Sequence, residues 1–316
     1  MLTPPNSQPA RTYDEALQRV RALQALDDAS ILPEAGTKLY DHGQRTPLVT
    51  VLLHGLTNHA GQYRDFAPQV HAQGVNVLVP RLPEQGDRNR LTTRLAKLTA
   101  DELVQSATEA VDIAQGLGDR VAVLGISTSG LLCAYFAQYR SDLARSIPVN
   151  PVFAMLEFPY FLSRAIAMLA LRLPNVYMWW DPRYKMKELP ATGYPRFPTH
   201  ALAQCLRIGD AVHDAAKREA MLARSVVTVT NKRDPAVNNS ATRQIARAWR
   251  RRTPDRVQAY EFTNLPVNHD IIDPQNSQPR TDLVYPVLLS LIVQTPPLGK
   301  KASCAIQSSS CSFCSS

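Results

Sequence analysis

A serine flanked by small residues lies between an apolar run and a helical stretch. The segment Gly125-Ile-Ser-Thr-Ser-Gly130 follows the apolar run 121–124. A strand, a tight turn and a helix in this order form a nucleophile elbow, which exposes a serine hydroxyl above a sheet. Ser127 is the better candidate nucleophile, because Ser129 would place the bulky Leu131 two positions later in the turn. A closely packed turn, or a phosphate site at the helix N-terminus, remains the alternative for this hexapeptide.

A serine hydroxyl needs a base to take its proton, and the base needs an acid to orient it. Among the histidines that follow Ser127, His200 and His213 fall inside a long helical interval, whereas His269 follows the last predicted strand in a short loop. Asp234 comes just after a β-branched strand and precedes a proline. The alternatives are an exposed loop histidine and a helix N-cap. The positions of His269 and Asp234 after predicted strands favour His269 as the base and Asp234 as the acid.

Acyl transfer also needs two backbone N–H groups that face the developing oxyanion. Thr128, the residue after the candidate nucleophile, is expected to supply one of them. Leu56 follows His54-Gly55 at the end of an earlier apolar strand and is expected to supply the other. The His54 side chain is expected to shape this loop rather than to take part in the chemistry.

Short β-rich runs, which are apolar, β-branched or alternating, lie between helical stretches and position these residues. The runs predict strands over 48–53, 75–79, 121–124, 146–149, 225–230 and 257–262. A capping box opens a helix at Thr99, and another at Thr12 opens an amphipathic helix ahead of the main fold. Nearly all-apolar strands that alternate with helices indicate a mostly parallel sheet covered on both faces. The predicted fold class is therefore α/β, with an N-terminal segment over 1–38 and a core over 39–152 and 223–294.

One long interval, 153–222, lacks strand-like runs and is rich in helical and aromatic residues. An insertion of this size between two strands predicts a helical cap over the carboxyl ends of the sheet. Packing of the cap against the core is the alternative role for any one of its aromatic side chains. As a group they are expected to line an apolar substrate pocket, and they are Phe158, Phe161, Tyr177, Trp179 and Trp180.

Composition excludes several other classes of protein. The 316 residues are 45% hydrophobic and 20% charged, which fits a folded domain with a large core and excludes a disordered chain. The net charge is +8. The arginines between 243 and 252 are expected to form a solvated helix face, and no nucleic-acid motif accompanies them, so no nucleic-acid partner is predicted.

The targeting and cysteine patterns predict a protein that is neither secreted nor inserted in a membrane. No signal peptide is visible, and no apolar run reaches the roughly 18 residues that span a bilayer, so no integral membrane segment and a cytoplasmic location are predicted. The five cysteines do not suggest a disulfide framework. The low-complexity segment 295–316, which contains Cys311 and Cys314, is predicted to be a disordered tail without a metal site.

Taken together, these features resemble the α/β-hydrolase superfamily, in its branch of carboxylesterases and monoacylglycerol-lipase-like enzymes with a helical cap. The resemblance covers roughly residues 39–293 and rests on His54-Gly55, Pro80-Arg-Leu-Pro83, the Ser127 elbow, Asp234-Pro-Ala-Val237 and His269. Two positions depart from the family pattern. Ser129 stands where the elbow usually has its second glycine, and Pro83-Glu-Gln-Gly86 stands where Pro-Gly-His-Gly is usual.

The resemblance implies a serine esterase that works through an acyl-enzyme. His269 would deprotonate Ser127, Asp234 would fix the imidazole, and the Leu56 and Thr128 N–H groups would hold the oxyanion. No metal or organic cofactor is required, and the expected partner is a small ester with an apolar part. The same residues serve thioesterases, lactonases, amidases and acyltransferases, and a non-catalytic ligand-binding protein of this fold also stays open. The sequence does not indicate the oligomeric state.

Overall fold

The computed structural model describes residues 2, 5–155, 158–180, 193–276 and 278–296. The strands among these residues are, in chain order, β1 Lys38–Tyr40, β2 Val49–Leu53, β3 Asn76–Val79, β4 Val121–Ile126, β5 Leu143–Val149, β6 Tyr177–Trp179, β7 Arg196–Pro198, β8 Val226–Asn231 and β9 Val257–Phe262. The helices are α1 Tyr13–Ala25, α2 Phe66–His71, α3 Ala100–Leu117, α4 Thr128–Tyr139, α5 Tyr160–Ala170, α6 Thr199–Ala216, α7 Asn239–Arg252 and α8 Thr281–Val293.

Seven of these strands form one sheet in the order β1-β3-β2-β4-β5-β8-β9. Only β1 is antiparallel to its neighbour, while the other strand pairs are parallel. Each residue of β2, β3, β4, β5 and β8 is buried, as expected for parallel strands covered on both faces. The predicted α/β fold is confirmed. The sequence pattern missed β1, because three residues at a sheet edge carry too little periodicity.

Two apolar clusters lie on opposite faces of the sheet. Successive residues of β2 alternate between them, so that Val51 belongs to one cluster and Leu52 to the other. The first cluster contains buried residues of α1, α3, α4, α6 and α7, and the second contains those of α2 and α8. Both predicted N-caps form, since the Thr12 and Thr99 hydroxyls accept hydrogen bonds from the N–H groups of Glu15 and Glu102.

The insertion between β5 and β8 contains helices α5 and α6 and the two-stranded antiparallel sheet β6–β7. Helix α6 packs along α4, so this part of the insertion lies against the core. The sequence pattern did not predict β6 and β7, because each is only three residues long, and the middle residue of β6, Met178, is exposed. Residues 156–157 and 181–192 of the insertion, and residues 297–316 of the predicted tail, lie outside the described residues.

None of the described helices combines the length and the apolar character that crossing a bilayer requires. Likewise, no group of three or more His, Cys, Asp or Glu side chains in the described part of the chain is arranged to hold a metal ion. Parallel α/β sheets place their functional residues at the carboxyl ends of the strands.

Gly125 in β4 offers a test of how tightly the end of this strand is packed. A Cβ atom there would lie 2.6 Å from the Ser129 carbonyl oxygen, and backbone cannot yield as a side chain can. We expect Gly125→Ala to lower the free energy of unfolding by roughly 3 kcal/mol or to prevent folding. Gly55 is the matched control, because its added Cβ would meet Ser127 Cβ at an ordinary 3.6 Å. Equal losses for the two variants in chemical denaturation would contradict this account.

Candidate active site

Ser127 forms the whole connection between β4 and α4. Its backbone has φ 61° and ψ −117°, a conformation that is unfavourable for residues with a side chain. The Ser127 N–H donates to the carbonyl of Val149 at 2.9 Å, and the Ser127 carbonyl accepts from the N–H of Val152 at 3.3 Å. These bonds to the end of β5 hold the strained turn in place.

A continuous chain of hydrogen bonds joins the three side chains that the sequence proposed as nucleophile, base and acid. Ser127 Oγ lies 2.8 Å from His269 Nε2, and His269 Nδ1 lies 2.7 Å from Asp234 Oδ2. The second Asp234 oxygen accepts from the N–H groups of Ala236 and Val237 at 2.8 and 3.1 Å. The Asp234 side chain is fully buried, whereas His269 keeps 25% of its side-chain surface exposed. This geometry is the one required of an activated serine.

The surroundings of His269 stabilise its protonated form. Burial alone disfavours an imidazolium, but the Asp234 charge and hydrogen bond outweigh this effect, with a further contribution from the Asp270 charge. The pKa of His269 is therefore raised above its ordinary value of 6.5. An imidazole with a raised pKa is a stronger base toward the Ser127 hydroxyl, provided that it is unprotonated when the substrate arrives.

Two asparagines that the sequence reasoning missed hold the loop that carries His269. Asn150 Nδ2 donates to the His269 carbonyl at 2.8 Å, and its Oδ1 accepts from the Asn231 N–H at 2.8 Å. Asn231 Nδ2 donates to the carbonyls of Pro266 and Asn268 at 3.1 and 2.7 Å. Both asparagines stand at the carboxyl ends of apolar strands, β5 and β8. The sequence signal that could have indicated them is an asparagine at the end of a predicted buried strand.

His54 shapes the loop that follows β2. Its Nε2 accepts from the N–H of Leu82 at 3.0 Å, so its Nδ1 carries the proton and donates to the Gly55 carbonyl at 3.1 Å. The ring is completely buried, and burial lowers its pKa to about 3. His54 is therefore neutral at physiological pH and acts as a fixed support of the loop, not as an acid or base.

The two residues expected to supply the oxyanion donors lie next to each other beside Ser127. The Leu56 N–H donates to Thr128 Oγ1 at 2.9 Å. The Thr128 N–H is the first amide of α4, so it has no carbonyl of the same helix to bond. The Thr128 hydroxyl thus holds the Leu56 backbone, at the end of another element, next to the residue that follows Ser127.

Gln62 links this loop to the residue after the histidine, and nothing in the sequence pointed to it. Gln62 Oε1 accepts from the Gly55 N–H at 2.9 Å, and Gln62 Nε2 donates to Asp270 Oδ2 at 2.6 Å. Asp270 Oδ1 accepts from the N–H groups of Ile272 and Asp273. Burial, together with the nearby Asp273 charge, raises the pKa of Asp270. This bridge fixes the relative position of the loops that carry Leu56 and His269.

Of the five aromatic residues expected to line a substrate pocket, Trp180 contacts the loop after Leu56. Its indole N–H donates to Thr57 Oγ1 at 2.8 Å, and its ring packs on Phe197 with centroids 4.1 Å apart. Tyr177 instead donates to the carbonyl of Thr93. The others are Phe161, with 72% of its surface exposed, and the half-buried Phe158 and Trp179.

A family model and a curated protein match this chain in sequence. The model of the alpha/beta hydrolase family matches residues 50–284. A thermostable monoacylglycerol lipase from Bacillus sp. (strain H-257) is 23% identical over 167 residues, which are 53% of this chain. The matched stretch spans 64% of that relative, slightly less than two thirds of its length.

Solved structures share the fold at low sequence identity. A monoacylglycerol lipase of Paleococcus ferrophilus superposes with a TM-score of 0.62 at 16% identity, over 82% of this chain and 98% of its own. A soluble variant of monoglyceride lipase from Saccharomyces cerevisiae gives a TM-score of 0.61 at 12% identity, over 82% and 89% of the two chains. At such identities the likeness concerns the fold alone.

The ionisation of His269 can be measured directly by NMR titration of histidine-labelled protein. We expect its pKa to lie above 6.5 and to fall in Asp234→Asn, because the substitution removes the main attraction that opposes burial. His54 is an internal control, since its burial does not depend on Asp234 and its ring should stay neutral from pH 5 upward in both proteins. An unchanged His269 pKa in Asp234→Asn would contradict the described contact.

Proposed function

Because this chain belongs to the alpha/beta hydrolase family, we propose that it is a serine hydrolase that cleaves carboxylic esters through an acyl-enzyme. The observation that carries the proposal is the unbroken chain of hydrogen bonds from Ser127 through His269 to Asp234. A non-catalytic ligand-binding protein would need neither of these two contacts. Their position at the carboxyl ends of β4, β8 and β9 also favours catalysis, since this edge of an α/β sheet holds the active site.

In the first step, His269 Nε2 takes the proton of Ser127 as the Ser127 oxygen attacks the ester carbonyl. Asp234 holds the Nδ1–H tautomer, which leaves Nε2 free to accept, and its charge stabilises the imidazolium that results. The carbonyl oxygen becomes an oxyanion that the Leu56 and Thr128 N–H groups receive. In the free protein the Leu56 N–H is bonded to the Thr128 hydroxyl, so this hydroxyl gives way as the oxyanion forms.

The intermediate then collapses, and the bond between the acyl carbon and the alcohol oxygen breaks. His269 returns its proton to the departing alkoxide, which leaves as an alcohol. Water enters in its place, gives a proton to His269 and attacks the acyl-enzyme carbonyl. When the second intermediate collapses, Ser127 recovers the proton and the carboxylic acid is released.

An ester with an apolar part is the proposed substrate. Trp180 brings a large aromatic surface to the loop that carries Leu56, so an apolar group next to the reacting carbonyl would find a partner there. The similarity to a monoacylglycerol lipase makes glycerol esters of fatty acids the first substrates to test. Thioesters of the same acyl groups belong in the same assay, because the proposed residues can attack either carbonyl.

The roles of Ser127, His269 and Asp234 can be tested with a panel of p-nitrophenyl and glycerol esters. We expect Ser127→Ala and His269→Ala to lower kcat by about 10³-fold or more, because each removes a group needed for the same proton transfer. Asp234→Asn should have an effect of similar size. Melting temperatures close to that of the unsubstituted protein would show that the folds are intact. A Ser127→Ala variant that keeps its activity would refute the proposal.

The role of Trp180 can be tested by the ratio of kcat/KM for a long-chain and a short-chain ester. We expect Trp180→Ala to lower this ratio by roughly tenfold, because the lost ring would leave one to two methylene groups without an apolar partner. Trp180→Phe is the matched control, since it keeps an aromatic ring and loses the hydrogen bond to Thr57. It should largely preserve the ratio. An unchanged ratio in both variants would place Trp180 outside the substrate pocket.

A further inference from the structure

Ser129 occupies the position where the elbow of related hydrolases has glycine, and the structure shows what its side chain contacts. Its hydroxyl donates to the carbonyl oxygen of His54, in the loop that carries Leu56. The residue is 1% exposed, so water does not compete for this bond. A glycine at this position could not make this bond to the loop.

Thr128 and Ser129 together hold both ends of the turn His54-Gly55-Leu56. Thr128 Oγ1 accepts from the Leu56 N–H at 2.9 Å, and Ser129 donates to the His54 carbonyl. Between these two bonds, Gly55 lies beside Ser127, since a Cβ atom on it would lie at van der Waals distance, 3.6 Å, from Ser127 Cβ. The two residues that follow the nucleophile therefore bond the loop that must supply the second oxyanion donor.

These two contacts differ in what happens to them during the reaction. The Thr128 contact uses the Leu56 N–H itself, so it must break when the oxyanion takes that N–H. The Ser129 contact uses the His54 carbonyl, which no reacting atom needs. Of these two bonds, only that of Ser129 stays in place while the tetrahedral intermediate exists, and it acts together with the Gln62 bond to the Gly55 N–H.

We propose that Ser129 is a positioning residue, which keeps the Leu56 N–H at hydrogen-bonding distance from the oxyanion through its bond to His54. This proposal rests on the serine-hydrolase function proposed above. Donors that are already in place stabilise the transition state without reorganisation, and a displacement of about 1 Å can cost up to 10²-fold in rate. Without the Ser129 hydroxyl, the release of the Leu56 N–H from Thr128 would leave the elbow with no side-chain hydrogen bond to the loop.

The test compares Ser129→Ala and Ser129→Gly with the unsubstituted protein. Both substitutions remove the hydroxyl, and the glycine variant does so without leaving a methyl group in the buried site. We expect kcat/KM to fall by roughly 10-fold to 100-fold, mainly through kcat. The affinity for an alkylboronic acid, which forms a tetrahedral adduct with the serine, should fall by a similar factor. The pH midpoint of kcat/KM should not move, because Ser129 does not contact His269.

Ser146→Ala is the matched control for a merely structural effect. The Ser146 hydroxyl on β5 donates to the carbonyl of Cys133 in α4 at 2.7 Å, and the residue is fully buried. This bond is of the same kind as that of Ser129 and involves the same helix, but it does not touch the Leu56 loop. We expect Ser146→Ala to lower the melting temperature while leaving kcat and the boronic acid affinity unchanged.

The outcomes distinguish failure of the positioning role from failure of the proposed serine-hydrolase function. If the Ser129 variants keep kcat and boronic acid affinity in an active protein, the positioning role is wrong and the proposed function stands. If Ser146→Ala loses as much as they do, the loss reflects a looser α4 and the positioning role is again wrong. If the unsubstituted protein neither hydrolyses esters nor binds the boronic acid, the proposed function fails and the positioning role falls with it.

Discussion

Between β4 and α4 the chain turns within a single residue, Ser127, whose backbone is strained. Such a conformation costs on the order of 1–3 kcal/mol and persists only where the surroundings leave no alternative. Here β4 lies between β2 and β5 in the sheet, α4 is buried along nearly its whole length, and Gly125 leaves no room for a Cβ. The buried strand and helix thus stabilise a turn that presents the Ser127 hydroxyl to His269.

Parallel topology explains how distant residues meet at this turn. Ser127 and His269 are 142 residues apart in the chain, yet both follow strands of the same sheet at its carboxyl edge. Asn150 and Asn231 stand at the same edge, after β5 and at the end of β8, and their side chains bond the loop that carries His269. The same strand ends that place the reacting groups also place the residues that support them.

The sequence predicted what depends on local pattern. Six β-rich runs predicted the parallel part of the sheet, because buried strands need apolar or β-branched residues. The small residues around Ser127 predicted the elbow, because the tight turn has no room for larger side chains. His269 and Asp234 were found by their positions after strands, and the structure brings them together with Ser127. The contacts of Gln62 and the Thr128 hydroxyl could not be predicted, because side-chain hydrogen bonds between distant segments depend on tertiary packing. Strands β1, β6 and β7 were missed because three residues are too few to show alternation.

The most direct test of the account is to find which residue an electrophile aimed at activated serines modifies. After incubation with a fluorophosphonate, mass spectrometry of the intact chain and of its peptides should show one adduct, located on Ser127. The His269→Ala protein should react far more slowly, because its serine has lost its base. An adduct on Ser129, or no adduct on a folded protein, would contradict the conclusion that the turn between β4 and α4 carries an activated nucleophile.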